Sequence, residues 1–245
     1  MVLKPLATSF ANLNLHKKFR VPNRTELPAG KGTKRKPRPK QLVVLCLDGS
    51  GSMQGQPIKE LNAGLLQFLR ELRSSAILSD TVELGVIRFA EDAEVIRKMG
   101  PLKNNDETVP VVRADGPTSM GMGLQCALSI IGRSQKLNHF SSNENRTPML
   151  IIMSDGQPTD DWEPQAWRIQ KLAQEQELTV LAIGIGDAAD MDMLARLCTP
   201  DLPPMRLSGL RFSKFFSWIN KTLAIASESE KGDRLFLPPS SGWSD

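Results

Sequence analysis

From Gln41 onward, short runs of wholly apolar residues alternate with stretches in which apolar residues recur every three to four positions. A strand that is apolar at every position must be buried on both faces, and a helix with one apolar stripe must lie against something. The alternation therefore predicts an α/β fold, a mostly parallel sheet with helices on both faces. Residues 42–47, 149–153 and 178–185 are the buried strands, 81–89 is another, and 94–99 a shorter, polar edge strand. Pro57 opens a helix whose stripe is Ile58, Leu61, Leu65, Phe68, Leu69 and Leu72. Leu124, Ala127, Leu128 and Ile131 mark a second helix face, and 161–176 and 190–197 predict two more helices. A strand near 205–207 precedes a last helix carrying Phe212, Phe215, Phe216, Ile219, Leu223 and Ala226.

Composition fits such a domain: 40% hydrophobic residues supply a core, and 24% charged residues are too few for a wholly disordered chain. The apolar runs fall far short of the ~20 residues of a membrane helix, and no apolar leader follows Met1. A soluble protein without a membrane span is expected. Charge divides the chain. Residues 1–40 hold eleven Lys/Arg against one acid, Glu26, whereas the rest holds 20 basic and 26 acidic residues. Three parts are therefore expected: a basic, flexible extension (1–40), the α/β domain (41–227) and an extended C-terminal tail (228–245). In the tail, the proline and apolar content of 235–243 suits a strip lying on a surface, by preference that of its own domain. Residues 31–40, with two prolines among like charges, form a solvated linker that could also contact nucleic acid. Cys46, Cys126 and Cys198 lack zinc or disulfide spacing and read as buried free thiols of a reducing compartment.

In open α/β sheets, ligands gather at the loops leaving the carboxyl ends of the strands. Three such loops are rich in oxygen donors: Asp48-Gly-Ser-Gly-Ser52, Asp115-Gly-Pro-Thr-Ser119, and Ser154-Asp-Gly-Gln-Pro-Thr-Asp-Asp161. None offers a histidine or cysteine. Oxygen donors with few carboxylates suit a hard divalent cation such as Mg²⁺ and disfavour zinc or copper. Gly49 and Gly51 allow a tight approach, so that Asp48, Ser50 and Ser52 can point at one spot.

Asp48-x-Ser50-Gly-Ser52, the distant Thr118 and the Asp155-Gly pair after an apolar strand resemble the metal-ion-dependent adhesion site of von Willebrand factor A domains. The resemblance covers residues 41–227 and implies a Rossmann-like sheet of about six strands with one antiparallel edge. It also implies the ligand roles. Ser50 and Ser52 would contact Mg²⁺ (or Mn²⁺ or Ca²⁺) through their hydroxyls, while Asp48, Thr118 and Asp155 would bind directly or through water. Two carboxylates and three neutral hydroxyls leave one coordination position open, so an Asp or Glu of a partner protein can complete its shell. Within the family, Asp48 to Met53, Asp155 to Trp162 and Phe215 to Trp218 are similar to bacterial TerY-type proteins of tellurium resistance and stress response. That likeness implies a cytoplasmic, non-enzymatic adaptor working with a Ser/Thr kinase and a metal-dependent protein phosphatase.

A metal-assisted phosphohydrolase is the alternative. Against it, His16 and His139 lie outside the three loops, no second carboxylate stands beside Asp48 as a base, and there is no phosphate-binding Gly-x-x-x-x-Gly-Lys loop. A nucleic-acid-associated protein acting through the basic extension is a further alternative. Among the remaining polar residues, Asp160 and Asp161 are expected to cap the helix that follows them, and Ser119 the helix after it. Asp187, Asp190 and Asp192 read as caps or surface, and Trp162, Trp167 and Trp218 as core or helix-packing residues.

Overall fold

β1 (Gln41–Asp48) is buried along its whole length, flanked by the parallel strands β2 (Val82–Phe89) and β4 (Met149–Ser154) and covered by helices on both faces. The computed structural model describes residues 38–102, 109–137, 146–229 and 237–244. The expected extension 1–40 lies outside the described residues apart from 38–40, and with it most of the 31–40 stretch; His139 and residues 230–236 also fall outside them. The sheet has six strands in the order β3-β2-β1-β4-β5-β6, with β3 (Ala93–Pro101), β5 (Thr179–Ile185) and β6 (Met205–Leu207) completing it. β2 and β3 pair antiparallel; every other pair is parallel. This is the three-layer α/β architecture predicted from the alternating pattern.

Side chains of a strand alternate between faces, and β1 divides its apolar residues accordingly. Val43, Leu45 and Leu47 enter one core with α1 (Gln56–Ser74) and α6 (Phe212–Glu228), through Leu61, Leu65, Phe68, Phe215, Phe216 and Ile219. Val44 and Cys46 enter the other with α3 (Met120–Leu137), α4 (Glu163–Gln174) and α5 (Met191–Ala195). α1 and α6 meet closely at Gly64, where a methyl group would lie 2.9 Å from Cβ of Phe212. Near the C-terminus, Trp243 is buried against Phe215 and Trp218, with ring centroids 4.9 and 5.1 Å away.

Several local expectations change. Thr81, read as the start of a strand, instead closes a short helix α2 (Ala76–Thr81), its hydroxyl donating to the Ile77 carbonyl at 2.8 Å. Ser75 caps that helix by accepting from the Leu78 N–H. The edge strand β3 spans nine residues rather than a short stretch, and its pairing with β2 has two register shifts. Helix α4 begins at Glu163, not Asp161. Trp162 and Trp218 are buried, but Trp167 is 66% exposed, with Lys171 Nζ 5.7 Å from its ring centroid. Among the described cysteines, Cys46 and Cys198 are buried free thiols while Cys126 is half-buried; burial pushes the Cys198 thiol up to about 11. No described helix is long and apolar enough to cross a membrane.

Candidate metal centre

Parallel neighbours release their loops at the same end of a sheet, and here β1 and β4 pair with Leu47 opposite Met153. The next residue on each strand is Asp48 and Ser154, so the two meet at the rim. The Ser154 hydroxyl donates to one Asp48 carboxylate oxygen at 2.6 Å, and the Ser50 N–H donates to the other at 2.8 Å. The first loop then turns through a single 3-10 turn (Gly51–Met53), which presents Ser50 and Ser52 side by side with their hydroxyl oxygens 2.9 Å apart. Ser52 donates onward to Asp155 Oδ1 at 2.7 Å. Asp48, Ser50, Ser52 and Asp155 are thereby joined in one cluster.

Thr118 faces the same cleft from the loop before α3. A methyl group placed on Gly156 would lie 3.9 Å from the Thr118 hydroxyl oxygen and 4.0 Å from that of Ser52. With no side chain at Gly156, that space stays open. The Thr118 backbone is held by Thr159: its N–H donates to the Thr159 hydroxyl at 3.1 Å, and its carbonyl accepts from the Thr159 N–H at 2.9 Å. The first and second loops are tied in the same way, the Asp115 N–H donating to the Gly49 carbonyl and the Gly51 N–H to the Gly116 carbonyl, both at 2.9 Å. The five residues singled out from the sequence thus stand around one cleft.

Burial grades across the cluster. Asp48, Ser50 and Thr118 are buried, Asp155 is half-buried, and Ser52 is exposed, so the cluster opens on the side of Ser52 and Asp155. Loss of hydration raises the Asp48 carboxyl above its ordinary value against the opposing bonds from Ser154 and Ser50, and the negative Asp155 raises it further. Asp155 is raised as well, again chiefly by burial. Neither carboxylate takes part in an ion pair among the described residues; the buried guanidinium of Arg88 pairs with Asp115 instead. Among the described residues no group of three or more His, Cys, Asp or Glu side chains is placed to hold a metal ion without other donors. Two carboxylates and three neutral hydroxyls at one cleft, short of positive charge, fit a hard divalent cation that keeps coordination positions for other oxygens.

Some supporting residues were assigned differently or not at all from sequence. Ser154 begins one of the donor-rich loops, yet its role as a support for Asp48 emerges only from the strand pairing. Asp160 caps α3 rather than the helix after it: its carboxylate oxygens accept from the Gly121 and Met122 N–H groups at 2.9 and 3.0 Å. Ser119 does not use its side chain as a cap; its hydroxyl donates to the Glu91 carbonyl at 3.0 Å. Asp190 does cap, accepting from the Met193 N–H at 2.9 Å. Asp160→Ala should cost about 1 kcal/mol, the usual worth of an N-cap. Urea unfolding without metal measures it, and a variant as stable as wild type would contradict the cap.

Comparison with known proteins agrees with this architecture. The family model of the von Willebrand factor type A domain matches residues 43–209. An uncharacterized protein of Synechocystis is 24% identical over 155 residues, 62% of this chain and 34% of that one. Human inter-alpha-trypsin inhibitor heavy chain H6 is 23% identical over 164 residues, 63% of this chain and 12% of its own length. The chain thus spans about a third or less of these relatives. Among solved structures, the open form of the pilus adhesin SpaC from Lactobacillus rhamnosus GG superposes with a TM-score of 0.59 at 17% identity, covering 76% of this chain and 30% of the adhesin. The vWF domain of the type V pili tip protein Mfa5 from Porphyromonas gingivalis gives 0.56 at 12% identity, covering 80% and 99%. Proximal thread matrix protein 1 of the mussel byssus, with a zinc-occupied MIDAS motif, gives 0.52 at 18% identity, covering 78% and 46%. These structures share the fold. With the family match spanning more than half of its residues, the chain belongs to the von Willebrand factor type A domain family.

Proposed function

We propose that this domain is a non-enzymatic, metal-dependent protein-interaction module that captures an acidic residue of a partner protein. The observation that carries the reading is the hydrogen-bonded run Ser50–Ser52–Asp155 beside buried Asp48, with the Thr118 hydroxyl across the same cleft. Ser50, Ser52, Thr118, Asp48 and Asp155 would hold Mg²⁺, or Mn²⁺ or Ca²⁺ in its place. The cation would supply positive charge to two carboxylates that have no cationic partner among the described residues. A carboxylate oxygen from Asp or Glu of the partner would then take a coordination position that no residue of this chain fills, at a desolvated contact. The oxygen-only donor set favours a hard ion, although the byssus protein holds zinc in its own motif, so Zn²⁺ belongs among the ions titrated.

The likeness of Asp48 to Met53, Asp155 to Trp162 and Phe215 to Trp218 to TerY-type proteins supports a narrower reading. In it the domain is a cytoplasmic adaptor in a bacterial stress-response or defence assembly, with a Ser/Thr kinase and a metal-dependent phosphatase as partners. The test is capture of partners from lysate of the source cells in millimolar Mg²⁺ or in chelator, with wild type and Asp155→Ala, followed by protein identification. Capture that requires both Mg²⁺ and Asp155 is the expected result. Capture indifferent to both would overturn the metal-dependent reading, and metal-dependent capture lacking any kinase or phosphatase would overturn the narrower one.

A further inference from the structure

Arg88, near the end of β2, stands outside the donor cluster yet touches two of the three loops that supply it. Only 5% of the residue is exposed, and its guanidinium is spent on three backbone carbonyls and one carboxylate. Nε donates to the Arg113 carbonyl at 2.8 Å, and one terminal nitrogen donates to the carbonyls of Gly49 at 3.2 Å and Asp115 at 3.4 Å. The same nitrogen pairs with the Asp115 carboxylate. Gly49 directly follows Asp48, and 113–115 lead into Thr118. One rigid, planar group therefore holds the backbone of the first loop to that of the second, which a flexible ammonium cannot do with the same geometry.

The fit is close. A methyl group on Gly49 would fall 2.5 Å from the Arg113 carbonyl oxygen and 2.6 Å from Arg88 Nε, so the glycine leaves the space that the guanidinium fills. The Gly49 carbonyl that accepts from Arg88 also accepts from the Asp115 N–H, and the second backbone bond between the loops, Gly51 N–H to the Gly116 carbonyl, follows directly after. We infer that Arg88 is the positioning residue of the metal centre, setting the spacing between the Asp48–Ser52 loop and Thr118. This rests on the metal-binding reading proposed above. Arg88 itself would contact neither the cation nor the partner; it acts through the loops.

The experiment uses the full chain as wild type, Arg88→Gln, Arg88→Lys, Asp115→Ala and Ile219→Val, the last a mild change in the core. Mg²⁺ affinity is measured by calorimetry, and amide hydrogen exchange at Gly51 and Asp115 is measured without metal. Arg88→Gln should weaken Mg²⁺ binding about 10- to 100-fold, as losing a support of a metal ligand does. It should also speed exchange at both amides about tenfold or more, because those bonds open locally. Arg88→Lys should fall between it and wild type. Ile219→Val should leave both readouts unchanged.

Wild-type affinity and exchange in Arg88→Gln would overturn the inference, and so would an equal loss of affinity in Ile219→Val, which would mark a merely structural role. Should Arg88→Gln fail to fold, Asp115→Ala decides, since its side chain is 65% exposed and its loss spares the core. It should speed both amides and weaken Mg²⁺ binding about threefold, and no change in either would overturn the inference. A wild-type chain that binds no Mg²⁺ would overturn the proposed function instead, and amide exchange alone would then decide whether Arg88 positions the loops.

Discussion

Asp48→Asn is expected to abolish measurable Mg²⁺ binding while leaving the metal-free protein at least as stable as wild type. The two shapes are nearly the same. The amide oxygen can still accept the Ser50 N–H, and the Ser154 hydroxyl can turn to accept from the new amide nitrogen. The charge is what differs. In the metal-free protein, Asp48 is a fully buried carboxylate near a second one, Asp155, and both titrate above their ordinary values. A carboxyl whose folded-state value is raised keeps its full stability below its unfolded value, near pH 3.8, and loses it as pH rises through the folded value. At neutral pH, wild type without metal therefore carries a cost that Asp48→Asn relieves.

Urea unfolding at pH 7, with and without Mg²⁺, measures both effects. Wild type should gain about 2.7 kcal/mol at a free Mg²⁺ concentration a hundredfold above Kd, and the variant should gain nothing. A variant that keeps the Mg²⁺ response would remove Asp48 from the site. One much less stable than wild type without metal would show the carboxylate to be structural.

Trp243→Ala is expected to cost about 3–5 kcal/mol, the range for truncating a large buried aromatic side chain. The tryptophan is 2% exposed, packs edge-on against Phe215 and tilts against Trp218. Its carbonyl accepts the Ser208 N–H at 3.0 Å, just beyond β6, and the Trp218 indole N–H donates to the Pro238 carbonyl at 2.7 Å. The segment 237–244 thus covers the aromatic end of α6. Denaturant unfolding without metal gives the number, and a loss below about 1 kcal/mol would show that the segment packs only superficially.

Much of the architecture was legible because two periodicities carry it. Strands apolar at every residue require neighbours on both sides, and β1, β4 and β5 obey that requirement. The five donors were legible for a different reason. The resemblance to von Willebrand factor A domains named them; the shared rim of the parallel strands β1 and β4 brings Asp48 and Asp155 together, whereas Thr118 lies on the loop before α3, after the antiparallel β3. What escaped was set by contacts between distant segments or by angle around a helix. The buried residues of α4 are Ala166 and Ile169, and Trp167 sits about 100° around the helix from Ala166, so its large apolar ring faces outward all the same. Asp160 serves a helix 38 residues or more upstream, where local spacing gives no sign of it. α2 is six residues long, too short to show a period. Arg88 shares β2 with one other charge, Glu83, and its meaning lies in carbonyls of loops that only the folded sheet brings within reach.

The most direct measurement is anomalous diffraction from crystals grown with Mn²⁺, whose scattering locates the ion independently of any assumed ligand. A single strong peak bonded to the Ser50 and Ser52 hydroxyls, with Asp48, Thr118 and Asp155 within direct or water-bridged reach, is the predicted result. Diffraction showing the cleft without manganese at saturating concentration, or the ion bound only at other residues, would contradict the account.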